Sequence, residues 1–138
     1  MTNHHDHYLE SEVQSAHPLK LVSMLYRGAL ESVAAARRKL ATGDPRGRSR
    51  QITKAWEILG ELSRALDHGT DSVLSGRLAA LYLYMQTRLL EANSQQADAP
   101  LEEVQRLLST LDEAWQILSQ GPLAAAPPPV QESLSCTY

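Results

Sequence analysis

The sequence predicts an all-α protein, an antiparallel four-helix bundle, and three observations carry that prediction. Apolar residues recur at the helical period in four separate stretches. Leu and Ala dominate the apolar set while Phe is absent, a composition that favours helix over strand. Proline, glycine and short polar runs fall between the stretches, where helices must start and stop. At 138 residues the chain is long enough for one shared core without disulfide or metal staples.

Residues 1–16 are polar, with Tyr8, Leu9 and Val13 as their only large apolar groups. They are expected to form a flexible cap segment that can dock but not fold alone. Pro18 suits the first turn of a helix, which is expected to run to about Thr42 and stop before Gly43-Asp44-Pro45. Its core stripe is Val22, Leu25, Tyr26, Ala29, Val33, Ala36 and Leu40, and Leu21, Met24, Gly28 and Ala35 make a second apolar strip on the opposite flank. Gly28 in mid-helix costs about 1 kcal/mol against Ala. A close backbone approach by a neighbour or ligand accounts for it, and so does a tolerated defect.

The second helix is expected over Arg46 to Asp67, with Ile52, Ala55, Trp56, Leu59, Leu62 and Leu66 inward, ending at His68-Gly69. The third, Asp71 to Asn93, is apolar on two sides. At about 100° per residue, Leu74, Leu78, Leu81, Tyr82, Met85, Leu89 and Ala92 form one broad stripe, while Gly76, Ala79, Leu83 and Leu90 lie on the reverse. Such a helix is either the most enclosed element of its bundle or the wall of a groove for another chain. A fourth helix runs from Pro100 to near Gln120 with Leu101, Val104, Leu108, Leu111, Trp115 and Leu118 on its apolar face. Trp56 and Trp115 are expected to stake the core, with indole nitrogens that need partners. The organisation is thus a cap over residues 1–16, a bundle over 17–120 and a disordered Pro/Ala-rich tail over 121–138.

Several function classes find no support. A net charge of -3, with no basic cluster interleaved with aromatics, gives no case for nucleic acid. Arg37-Arg38-Lys39 sits in the last turns of a helix, where cations favour the dipole. The lone Cys136 cannot form an internal disulfide. The N-terminus lacks a basic and apolar leader, and no segment reaches the roughly 18 uninterrupted apolar residues of a membrane span, so a soluble cytoplasmic protein is expected. No Glu-x-x-His pair occurs in the helices and no glycine-rich phosphate loop is present. His4, His5, Asp6 and His7 offer only a loose metal set in a polar tail. No enzyme, metal or cofactor is therefore expected.

What remains is apolar surface. Burying one Leu or Met is worth about 1.5 to 3 kcal/mol, so a few exposed on adjacent flanks suffice to anchor an amphipathic partner helix. Such a surface also makes the free protein sticky. The Tyr8-Leu9…Val13 stretch has the size to cover it, either as a strap that leaves when the partner arrives or as one permanently docked.

The chain resembles a known family in a collinear set of segments. Tyr8, Val13, Ser15 and Pro18 are followed by LVSMLYRGA at 21–29, TKAWEILGELSRALD at 53–67, LAALYLYMQTRLLEAN at 78–93 and LEEVQRLLSTLDEAW at 101–115. Together these are similar to the flagellar secretion chaperones, the flagellin-specific export chaperones of the flagellar type III system. The resemblance implies a cytoplasmic bundle that binds the C-terminal segment of flagellin. That segment would become helical in hydrophobic grooves, be kept from polymerising, and be handed to the membrane export gate. It also implies that the region around Tyr8 takes part in covering the groove. Arg27 departs from the usual acid after the Leu-Tyr pair, His17 replaces a small capping residue, and the Pro-rich tail exceeds the family pattern. The expected partner-binding residues are Tyr8, Leu21, Met24, Tyr26, Leu83, Tyr84, Met85 and Leu90, on a chain that is a monomer or weak dimer when free. The rival reading is a structural bundle whose second apolar strips pair with another copy of itself, or a helix-binding adaptor with a different cargo.

Overall fold

Proline and aspartate set the helix starts. The computed structural model describes residues 18–120, so the expected cap and tail lie outside the described residues. Four helices follow in order: α1 Pro18–Ala41, α2 Pro45–Arg64, α3 Ser72–Gln95 and α4 Ala99–Gln120. Among the described residues there is no strand.

The turn after α1 is a compact glycine cap. Gly43 adopts φ 75°, and its N–H donates to the Leu40 carbonyl at 3.3 Å while the Asp44 N–H donates to that of Lys39 at 2.9 Å, the paired bonds of a left-handed helix terminus. Asp44 then caps α2, its carboxylate accepting from the Gly47 N–H at 2.9 Å, with Pro45 in the first turn. α2 ends at Arg64, three residues before the expected Asp67. The Asp67 carboxylate instead accepts from the Gly69 N–H at 2.9 Å and the Thr70 hydroxyl at 2.6 Å, so it organises the connection. Asp71 caps α3 through the Leu74 N–H at 3.0 Å, as the sequence predicts. α3 continues two residues past Asn93 because Gln96, at φ 53°, supplies the left-handed terminus.

The helices pack as a ring in which α1 lies against α2 and α4, and α3 closes the other side against the same two. Arg37 near the end of α1 pairs with Asp98 at the start of α4, and Arg48 at the start of α2 reaches Asn93 at the end of α3. Neighbours therefore run antiparallel. Each helix gives one stripe to the core, including Tyr26 and Val33 of α1, Ile52 and Leu59 of α2, Met85 and Leu89 of α3, and Leu101 and Leu108 of α4.

Trp115 is half-buried against this core and its indole N–H donates to the Tyr26 hydroxyl at 2.9 Å. Trp56 does not stake the core: it is 40% exposed. The inward stripe of α2 is Ile52, Ala55, Leu59 and Leu62, which leaves Trp56 about 80° off its centre. Leu74 and Leu118, expected inward, are also exposed, being in the first turn of α3 and the last of α4, where core depth runs out.

A buried aromatic relay joins three helices. The Tyr26 and Tyr82 hydroxyls lie 2.6 Å apart, with Trp115 donating into the pair. Burial, above all, pushes both phenols above their ordinary value. A raised native pKa stabilises the fold fully below the unfolded value near 10 and loses that contribution as pH rises beyond it. Spectrophotometric titration at the phenolate band should thus show Tyr26 and Tyr82 ionising only together with the loss of helical circular dichroism at strongly alkaline pH. Ionisation of both ahead of unfolding would overturn this.

Candidate functional site

The four seams between neighbouring helices divide into two kinds. Polar contacts bridge three of them. Across α1 and α4, Arg37 holds both Asp98 oxygens at 2.8 Å and Gln105 at 2.6 Å, and this contact keeps the Asp98 carboxyl below its ordinary range. Across α3 and α4, Glu103 accepts from the Tyr84 hydroxyl at 2.8 Å and from Arg88 at 2.6 Å, and Arg88 also reaches Glu91 at 2.8 Å. Those two donors, Tyr84 first, hold the Glu103 carboxyl below its usual value.

The seam between α1 and α2 is open and apolar. Between α1 and α2 runs a groove of about 870 Å³ whose floor is Met24, Leu25, Gly28, Ala35 and Ile58, rimmed by charged residues of both signs, including Glu31, Arg38, Lys54 and Glu57. Gly28 is what keeps it deep: a Cβ there would lie 3.4 Å from Ile58 Cδ1, so any larger side chain would occupy the groove. Between α2 and α3, the Asn93 side-chain oxygen accepts from Arg48 at 3.0 Å and from the Ser49 hydroxyl at 3.1 Å, and the Gln86 side-chain amide donates to the Trp56 carbonyl at 3.0 Å. Leu83 and Leu90, at i−3 and i+4 from Gln86, lie on the same side of α3 and are 64% and 54% exposed.

A second apolar hollow, of about 330 Å³, sits at the end of the bundle where α1 begins and α4 ends. Leu19, Val22, Leu66, Leu74, Leu78 and Trp115 are among its walls.

The expected partner-binding residues separate on this frame. Leu21 and Met24 are half-buried on α1, Met24 on the groove floor. Leu83, Tyr84 and Leu90 are exposed on α3. Tyr26 and Met85 are fully buried: both face the bundle axis, so any part they have in binding is as the support beneath the surface. Tyr8 lies outside the described residues. Ile58 and Trp56 were not among the expected set. Ile58 lies three residues after Ala55 and four before Leu62, at the edge of the apolar stripe of α2. That spacing alone could have marked it as a groove wall.

Three seams bridged by polar contacts and one open apolar groove make this a helical bundle with an unfilled apolar surface, and among the described residues no cluster of His, Cys, Asp and Glu could hold a metal. No helix of the described residues is long and apolar enough to cross a membrane. A family model described as flagellar protein FliS matches residues 1–122, and the chain belongs to that family. It is similar to flagellar secretion chaperone FliS of Salmonella typhimurium, 38% identical over 112 residues that cover 80% of this chain and 83% of that protein. Flagellar secretion chaperone FliSB of Pseudomonas aeruginosa is 36% identical over 111 residues, covering 80% and 88%. Flagellar secretion chaperone FliS of Escherichia coli is 34% identical over 109 residues, covering 78% and 80%. Membership in a family of secretion chaperones implies a non-enzymatic role.

Proposed function

We propose that this chain is a cytoplasmic export chaperone that binds the C-terminal segment of flagellin, keeps it from polymerising, and delivers it to the membrane export gate. The observation that carries the reading is the open apolar groove between α1 and α2 beside the exposed Leu83 and Leu90 of α3, on a chain whose relatives are secretion chaperones. The cargo segment folds into amphipathic helices as it enters. Its apolar side chains fill the floor between Met24 and Ile58 and cover Leu83 and Leu90, with Leu21 and Tyr84 at the margins. Such coupled folding buries on the order of 1,000 to 3,000 Å² and spends several kcal/mol on ordering. The net affinity is left moderate, so the export gate can take the cargo by competition without nucleotide hydrolysis. The segment around Tyr8 covers the groove between α1 and α2 when no cargo is present.

Calorimetric titration of the full chain with a peptide of the flagellin C-terminal segment tests this. Saturable one-to-one binding with a strongly negative heat-capacity change is expected. No binding by folded protein would overturn the flagellin reading and leave a helix-binding adaptor with another cargo.

Gly28 gives a sharper test of the α1/α2 groove. Gly28→Ala is expected to stabilise the helix by about 0.5 to 1 kcal/mol, since the added methyl meets Ile58 only at contact distance. Gly28→Leu would place its branches in the groove and lower peptide affinity about tenfold or more, the equivalent of excluding one apolar side chain of the cargo. Unchanged affinity with Gly28→Leu would show that cargo does not use this groove.

A further inference from the structure

The outer surface of α3 carries a regularity that the cargo reading does not explain. Gly76, Ala80, Leu83, Thr87, Leu90 and Ser94 succeed one another at alternating steps of four and three residues, and all six are exposed. That spacing is the seam of a two-stranded coiled coil, sustained for about 27 Å at 1.5 Å per residue. None of the six is charged. The two hydroxyls are also spent within the helix: Thr87 donates to the Leu83 carbonyl at 3.1 Å and Ser94 to that of Glu91 at 3.3 Å. A solvated helix face of this length would ordinarily carry charge.

We infer that this seam pairs with the same seam of a second copy of the chain, antiparallel, about a two-fold axis beside Tyr84. Two features select that partner and that direction. In the antiparallel register centred between Leu83 and Thr87, every large side chain meets a small one: Leu83 faces Thr87 of the second copy, Leu90 faces Ala80, and Gly76 faces Ser94. A parallel pairing sets Leu against Leu and Gly against Gly at the same heights, leaving alternate layers crowded and empty.

The second feature is charge. Arg77 and Glu91 flank the seam on one side, seven residues before and after Tyr84. Antiparallel pairing brings Arg77 against Glu91 of the second copy at both ends of the contact, where such flanking pairs set partner choice and orientation. Arg77 is exposed and has no ion pair among the described residues. Glu91 shares its one cation, Arg88, with Glu103. Parallel pairing instead aligns the flank of Arg77, Tyr84 and Glu91 with that of Ala79, Gln86 and Asn93 and gains no charge pair.

A single helix pair of this length falls below the roughly 1,200 Å² at which stable interfaces begin, so the dimer is weak and reversible. Resting on the cargo reading above, that makes it a cover for Leu83 and Leu90 in the free protein, released when the flagellin segment takes the same face.

Sedimentation equilibrium of the full chain at rising concentration tests the pairing. The mass is expected to pass from one chain to two. Arg77→Glu and Glu91→Arg should each raise the dimer dissociation constant about tenfold by turning two weak surface attractions into repulsions. The double reversal, which restores opposite charges across the axis, should return it close to the starting value. One mass at all concentrations, single reversals without effect, or a double variant no better than the singles would each overturn the pairing. If a reversal variant fails to fold, Ala80→Glu, at an exposed seam position, should abolish the dimer while leaving the helical melting curve unchanged. Adding the flagellin C-terminal peptide should then convert dimer to a one-to-one complex. A saturated complex that keeps the dimer would overturn the cover role alone. Failure of the peptide to bind is read from the calorimetric titration and does not touch the charge-reversal result.

Discussion

Met85→Ala is expected to cost the bundle about 2 to 5 kcal/mol of unfolding free energy, the range for deleting a large buried side chain where the surroundings only partly collapse. Met85 is 0% exposed and lies between Tyr82 and Leu89 on the inward stripe of α3. A domain of this size has about 5 to 15 kcal/mol in all, so the loss moves the protein close to its folding threshold. Met85→Leu nearly conserves volume and should cost less than about 1.5 kcal/mol. Urea denaturation checks both. The midpoint should fall with the slope unchanged, because the surface exposed on unfolding is the same. The informative part is what does not change. In conditions where the Met85→Ala protein is still folded, its affinity for the flagellin segment should equal that of the parent. A lowered affinity in fully folded protein would place Met85 in the binding groove and contradict its assignment to the core.

The division of the seams has a plain origin in residue size and charge. Arg37 and Arg88 are long, forked donors that can span two helices and satisfy two acceptors each. They sit where α4 offers Asp98 and Gln105 to α1, and Glu103 to α3. α2 offers α1 no such bridge at the Gly28–Ile58 crossing. Ser32 there is small and Ile58 is apolar, and Lys54 and Glu57 stand on the rim. Nothing polar closes over the floor, so an apolar partner meets no competing contact when it enters.

Much of this fold is legible in the sequence because its punctuation is chemical. Gly43, Asp44-Pro45 and Asp71 each mark a boundary by a bond that only those residue types make readily. The boundary at Asn93 was less legible, since Gln96 takes a left-handed conformation that sequence would assign to Gly or Asn. The two-sided character of α3 was also legible, but not which of its two possible situations holds. Periodicity ranks residues by angle around a helix and is silent on what lies across from each. The core side includes Tyr82, Met85 and Leu89, and the reverse, with Leu83 and Leu90, is open, so α3 is not an enclosed element. The same blindness explains Trp56 and Tyr26. Trp56 has the largest apolar area on α2 yet sits at the edge of its stripe. Tyr26, which looks like a recognition residue, points its hydroxyl inward to Tyr82 and Trp115. For the groove, Gly28 was the visible clue, and Ile58 across from it supplies the physical reason for the missing side chain.

Leu83→Asp is the change expected to separate binding from folding most widely. Leu83 is 64% exposed, and its replacement leaves no cavity and buries no charge in the free protein. Unfolding stability should therefore stay within about 0.5 kcal/mol of the parent, as for surface positions in general. In the complex the loss is twofold. The cargo forfeits the burial of a leucine, about 1.5 to 3 kcal/mol, and a carboxylate is either desolvated or kept wet by holding the cargo helix away. Peptide affinity should fall about ten- to a hundredfold, and adding Leu90→Asp, two turns along the same face, should remove measurable binding. Calorimetry against the flagellin segment, with a thermal melt on the same sample, checks the two halves together. A Leu83→Asp protein that melts early would return Leu83 to the core. One that melts normally and binds normally would confine the cargo to the groove over Gly28 and leave the α3 face to the second copy alone.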